Sequence, residues 1–229
     1  MRNKNIAPTL CWASALLLLV ATSSAALAQS EQQKLVNAAD KTLSDFMRDP
    51  EMTWLHRNIG RAKAILIAPE VAKAGFIFGG SGGRAVLVAR NANTGKWVGP
   101  AFYTLATASV GFQAGVSVSE MMTLVMTEKG LNSLLANSFK MGPDASIAAG
   151  PIGAGAKADI ITDLVSFSRS KGIYGGINLD GTIVTTSDEW NEAYYHKKVL
   201  APDILVRGGA NSKGAEKLLA DVARAASRK

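Results

Sequence analysis

Cysteine and histidine are nearly absent. The 229-residue chain has one cysteine, Cys11, and two histidines, His56 and His196. Cys11 sits in a leader-like N-terminus. Arg2 and Lys4 give a charged start, Leu10 to Ala21 is apolar, and Ala26-Leu27-Ala28 is an A-x-A site before Gln29. This pattern predicts a secretory signal peptide over 1–28, cleaved after Ala28, whose core is short for a membrane span. The expected location is therefore the periplasm or cell envelope. Residues 29–229 contain no cysteine. That excludes disulfides, zinc–thiolate sites and a cysteine nucleophile from the mature chain. The two histidines are far apart in the chain, so no metal site is expected. Acidic residues are also outnumbered. Without Arg2 and Lys4 the chain keeps 23 basic against 18 acidic residues, net +5. For an exported protein this points away from nucleic acid and toward anionic lipid headgroups or acidic surface polymers. About 200 residues bury a sufficient core without disulfides, and a single domain over 29–229 is expected.

Glycine is abundant, and residues 76–90 read FIFGGSGGRAVLVAR. Gly79 to Gly83 satisfies G-x-S-x-G, the nucleophile elbow of serine hydrolases, and Gly80-x-Gly82-x-x-Ala85 satisfies a loose dinucleotide fingerprint. Both need a strand entering the loop and a helix leaving it. The exit, Arg84-Ala85-Val86-Leu87-Val88-Ala89-Arg90, reads instead as a buried strand. The expectation is a hairpin connection, with glycines supplying positive φ. A serine esterase using Ser81, with Asp180 or Asp188 and then His196, stays as the lesser alternative, because the parallel βαβ pattern of such folds is absent.

Around this stretch the periodicity predicts an α+β fold. Residues 31–48 form an amphipathic helix through Leu35, Ala39, Leu43 and Phe46. A second helix is expected from Pro50 to about Lys63. Residues 64–127 read as strands with a turn at Asn93-Thr94-Gly95-Lys96, and Gly111 and Gly115 inside a strand region suggest strong curvature, with a closed barrel as its limit. Helices follow at 128–138, 188–196 and 213–226, with strands at VSFSRS, KGIYGGINL and 182–185. The architecture expected is a curved, glycine-rich antiparallel sheet with flanking helices.

Several blocks in order resemble the SYLF-domain family. Ser168-Arg169-Ser170-Lys171-Gly172-Ile173-Tyr174-Gly175-Gly176-Ile177 is similar to its signature S-x-S-K-G-[LI]-[FY]-A-G. Ala62-Lys63, Lys73-Ala74-Gly75-Phe76 and Val86 to Arg90 match the first block. Gly95-x-Trp97 with Pro100, Gly111-x-Gln113-x-Gly115, Ala149-Gly150-Pro151-x-Gly153 and Asn191-x-x-Tyr194-Tyr195 match the others, over about 40–208. Departures are Ala64, Ala154 and His196, the last where the family has glycine. The resemblance implies a lipid-binding module that favours acidic phospholipids, with actin binding in yeast actin-patch relatives and no catalysis or cofactor. Its bacterial members are mostly exported single-domain proteins. Read with the charge pattern, the candidate lipid-binding residues are Trp54, Arg57, Arg61 and Lys63 on the second helix, and Arg84, Arg90, Lys96 and Lys171 near turns. The alternative is an envelope structural or protein-interaction protein, whose partner the sequence does not name.

Overall fold

A computed structural model of the chain describes residues 30–75, 78–110, 115–153, 160–170, 173–174 and 179–228. The leader expected over 1–28 lies outside these residues, as do Phe76 and Lys171. Four long strands dominate: β1 (Ala64–Gly75), β2 (Phe78–Arg90), β3 (Trp97–Val110) and β4 (Gly115–Val125). Shorter strands follow: β5 (Ser138–Lys140), β6 (Ile147–Ala149), β7 (Leu164–Ser170), β8 (Ile173–Tyr174) and β9 (Ile183–Thr186). The sheet order is β5-β9-β3-β2-β1-β4-β7-β6, with β8 paired to β7. Neighbours are antiparallel except β6 and β7, which run parallel. Laid flat, eight strands at about 4.8 Å would be about 34 Å wide from first to last. Yet the two edge strands, β5 and β6, are joined by residues 141–146 alone, which reach at most about 25 Å. The sheet must therefore curl, and a bridge between Met141 and Ala145 ties its ends. The expected α+β architecture holds, as a half-barrel with flanking helices.

The helices are α1 (Glu31–Arg48), α2 (Thr53–Asn58), α3 (Glu128–Leu135), α4 (Asp188–Tyr195), α5 (Ala201–Leu205) and α6 (Glu216–Ala226). In α1, Val36, Ala39, Leu43, Phe46 and Met47 are buried at the helical spacing the sequence suggested. Register defines two faces of the sheet. On the front face, Phe102, Val86, Ile67, Met122 and Phe167 stand side by side across five strands. Helices cover them: Phe102 packs on Trp190 and Tyr194 of α4, and Phe167 on Trp54 of α2. The back face carries Tyr103, whose buried hydroxyl donates to Leu134 O of α3 at 2.8 Å. At this end the sheet is buried on both sides, which explains the apolar runs 64–68 and 85–89, and 121–125 where only Thr123 interrupts and bonds to Ser166.

Three local expectations change. Gly79–Gly83 is not a turn. It lies inside β2, paired with β1 on one side and β3 on the other, and none of its glycines has positive φ. Its glycines serve close approach instead. A Cβ on Gly83 would fall 2.2 Å from Glu70 O, where a bulge in β1 brings the backbone in. With strand on both sides of Ser81, the strand-to-helix context of a nucleophile elbow is missing. The second helix is shorter than expected: α2 stops at Asn58 and a 3-10 turn, Ile59–Arg61, continues. Finally, β6 departs from an all-antiparallel sheet.

Candidate functional site

The predicted basic residues scatter. Trp54 is 5% exposed, with its ring 6.0 Å from Phe167, so it belongs to the core and not to a basic surface. Arg57 and Arg61 are both exposed. The helix ends between them, so their spacing of four does not put them on one α-helical face, and Arg61 donates to Asn58 Oδ1 at 3.1 Å. Lys63 pairs with Glu128 at 2.8 Å. The Arg84 guanidinium lies 3.9 Å from the centre of the Trp190 ring. Lys171 is outside the described residues.

Two of the predicted residues do meet. Arg90 ends β2 and Lys96 sits in the turn before β3, a turn shaped by Gly95 at φ +68° and by Asn91 Oδ1, which accepts from Asn93 N and Thr94 N. Both line a cavity of about 560 Å³ with Trp97, Leu219, Ala223 and Ser227. Arg84 is six residues up the same strand, about 20 Å away. Across α6, a smaller cavity of about 200 Å³ gathers Arg48, Arg224 and Arg228 with Lys217 and Asp221. Sequence reasoning did not single out these arginines, because α1 and α6 are distant in the chain.

The other end of β1–β4 has a different character. At the edge of the helical layer, the front face carries a charged row: Arg84, Glu70, Glu120 and Arg169, with Arg169 bonded to Glu120 and facing Asp45 of α1, and Arg84 against Trp190 of α4. Past this row come Ile183, Ala106, Gly82, Ala72 and Val118, side by side on five strands. Two residues further lie Ala108, Gly80, Ala74 and Val116. These two rows hold no polar side chain, and no helix among the described residues covers them: Val116 is 80%, Ile183 46% and Val118 42% exposed. The intervening row, Thr107-Ser81-Lys73-Ser117, points to the back face and is polar. The signal was present in the sequence as the alternations AKA, GSG, ATA and VSV, whose period of two fixes opposite faces. Residues 71–83 contain one charge, Lys73, and 105–119 contain none. Ser81 therefore lies between Lys73 and Thr107, far from any histidine in its row.

Comparison with known proteins gives the same answer as the sequence blocks. The family described as Ysc84, Las17-binding protein actin regulator, matches residues 106–225. The chain belongs to this family. Among its relatives, "LAS seventeen-binding protein 3" of Saccharomyces cerevisiae is 30% identical over 152 residues, 63% of this chain and 33% of that protein. "Protein YSC84" of Saccharomyces cerevisiae is 30% identical over 142 residues, 59% of this chain and 30% of that one. "SH3 domain-containing YSC84-like protein 1" of Homo sapiens is 27% identical over 152 residues, 64% of this chain and 44% of that one. The chain thus matches less than half the length of these curated relatives.

Within the Ysc84 family pattern, several matched positions have structural work in this chain. Asn191 Oδ1 accepts from Phe102 N at 2.9 Å, and the Tyr195 hydroxyl donates to Pro100 O at 2.8 Å. They clamp β3 where its pairing with β2 shifts register. Burial raises the pKa of Tyr195, so it remains a neutral donor. Gly150 lies against the Phe167 ring, with no room for a Cβ. No helix among the described residues is long and apolar enough to cross a membrane.

Proposed function

We propose that the protein is an exported, non-catalytic module that attaches to anionic phospholipid membranes through the free end of β1–β4. One observation carries this reading: the two exposed front-face rows that end in Val116 and Val118, without a polar side chain between them. At about 32 Å² per residue, nine residues present about 300 Å². That is well short of the ~800 Å² per partner of a stable protein interface, but burying it in hydrocarbon is worth about 7 kcal/mol before ordering costs. The side chains are small and uniformly apolar, so the surface suits a fluid apolar phase better than a shaped partner. Lys73 as the only charge, and the net positive mature chain, supply the preference for anionic lipid.

The test is co-sedimentation with phosphatidylglycerol or cardiolipin vesicles against phosphatidylcholine, at low and high salt. Binding is expected to anionic vesicles, weaker on neutral ones, and reduced by Val116→Glu with Val118→Glu. No binding to either vesicle would sink the reading. A second reading, attachment to a protein partner, is favoured by the family description as a Las17-binding actin regulator. Co-sedimentation with actin filaments without lipid separates the two.

A further inference from the structure

The cavity beside α6 lies at the opposite end of β2 from the apolar rows, and it has its own chemistry. Arg90 and Lys96 border it, and none of its lining residues is acidic. Its other walls are apolar, from Trp97, Leu219, Ala223 and Ala226. Arg90 is held in place from two sides. It donates to Gly60 O at 3.1 Å, and its guanidinium lies 5.2 Å from the centre of the Trp97 ring. Its Nε is buried without a hydrogen-bond partner. That atom is covered by protein and is not open to the cavity. Arg90 makes its bond to Gly60 O and not to an α6 carbonyl, so the two cations are not tied up in offsetting the negative end of α6. The cavity across α6 differs, because Asp221 there already pairs with Lys217 and Arg224.

The geometry points to a binding site for one amphipathic anion, with a phosphate or carboxylate head on Arg90 and Lys96 and a short apolar chain along Trp97 and Leu219. The volume is in the usual range for small-molecule sites, about 300–1,000 Å³. A planar guanidinium is suited to pair with two oxygens of such a head. The same head occurs on a single-chain lipid and as free phosphate, and the apolar wall favours the former.

Isothermal titration calorimetry on the full chain tests this without vesicles, so its outcome is independent of membrane attachment. The probes are dodecyl phosphate below its micelle concentration, inorganic phosphate, and dodecyl maltoside as the same tail without charge. Dodecyl phosphate is expected to bind at one site, at least tenfold more tightly than either control. Arg90→Gln should weaken it at least tenfold. Because Arg90 also braces Gly60, Lys96→Gln in the exposed turn is the second variant, expected to cost threefold or more. Dodecyl maltoside binding equally well, or dodecyl phosphate binding unchanged in both variants, would overturn the site. Inorganic phosphate binding as tightly as dodecyl phosphate would overturn the amphipathic ligand.

Discussion

A Cβ on Gly83 would lie 2.2 Å from Glu70 O and 3.2 Å from Val71 Cα, both backbone atoms that cannot step aside. Gly83→Ala is therefore expected to destabilise the protein by about 2 kcal/mol or more, within or beyond the 1–3 kcal/mol usual for overpacking, measured as a shift in the urea midpoint. Ser81→Ala, two residues away on a half-buried strand position, should stay within about 0.5 kcal/mol. A serine-reactive fluorophosphonate probe should leave Ser81 unlabelled; labelling lost on Ser81→Ala would show a nucleophile after all. The sequence made this stretch conspicuous, yet glycine there could mean positive φ or close approach, and only the bulge at Glu70 decides between them. His196 is the converse case. The SYLF pattern has glycine at that position, and His196 sits at φ 53°, in the left-handed cap of α4. A side chain with a Cβ is disfavoured there. His196→Gly should stabilise by about 0.5–1 kcal/mol, net of the extra freedom glycine gives the unfolded chain, and an unchanged or lower thermal midpoint would count against this account.

Between elements, Asp163 does the joining. It accepts from the Thr127 hydroxyl at 2.5 Å, at the N-cap of α3, and from Ser146 N and Oγ, just before β6, at 2.9 and 2.8 Å. Lys129 is 3.5 Å away. The Thr127 hydrogen bond above all, then those from Ser146, hold its pKa at about 2, below the ordinary 3.8. Because the folded value is the lower one, this stabilisation is present above about pH 4 and is lost as pH falls from 4 toward 2. Asp163→Asn should lower stability at neutral pH by roughly 1–3 kcal/mol and flatten the loss of stability between pH 4 and 2, followed by circular dichroism. An equally steep acid limb in the variant would show that other groups set it. Thr127 was legible as the cap of a helix beginning at Glu128, and it accepts from Gly130 N; the link to Asp163 was not, because the partners are far apart in sequence and the parallel pairing of β6 leaves no local pattern. Elements with a strong period of their own were legible: α1 by its apolar stripe, α6 and the Gly95 turn likewise. The helix expected to reach Lys63 was not, because the run from Trp54 to Lys63 has helical composition while the chain must tighten at Gly60 to pass Ala226 O, 2.6 Å from where a Cβ would be.

At the scale of the whole molecule, the two ends of β1 offer competing membrane contacts. Arg57 and Arg61 precede its start at Ala64, while Ala72 and Ala74 lie on the apolar rows near its finish. Ten residues of strand put about 33 Å between Ala64 and Ala74, some three Debye lengths at 0.1 M salt, where the screening length is about 10 Å. Charges at one end are therefore nearly invisible to a surface held at the other. If the free end inserts, Arg57→Glu with Arg61→Glu should change binding to phosphatidylglycerol vesicles by no more than about twofold. Ala72→Glu with Val118→Glu, neighbours across β1 and β4, should weaken it about thirtyfold, since each charge resists shallow transfer to hydrocarbon by about 1 kcal/mol, ~2 kcal/mol for the pair. Both pairs lower net charge, by 4 and by 2 respectively, and the larger charge change falls on the pair expected to matter less. Insertion also predicts a remnant of binding at 1 M salt, where screening is complete beyond about 3 Å. The reverse ranking, with the arginine pair costing thirtyfold and binding abolished by salt, would move the contact to the basic end and leave the apolar rows in need of another occupant.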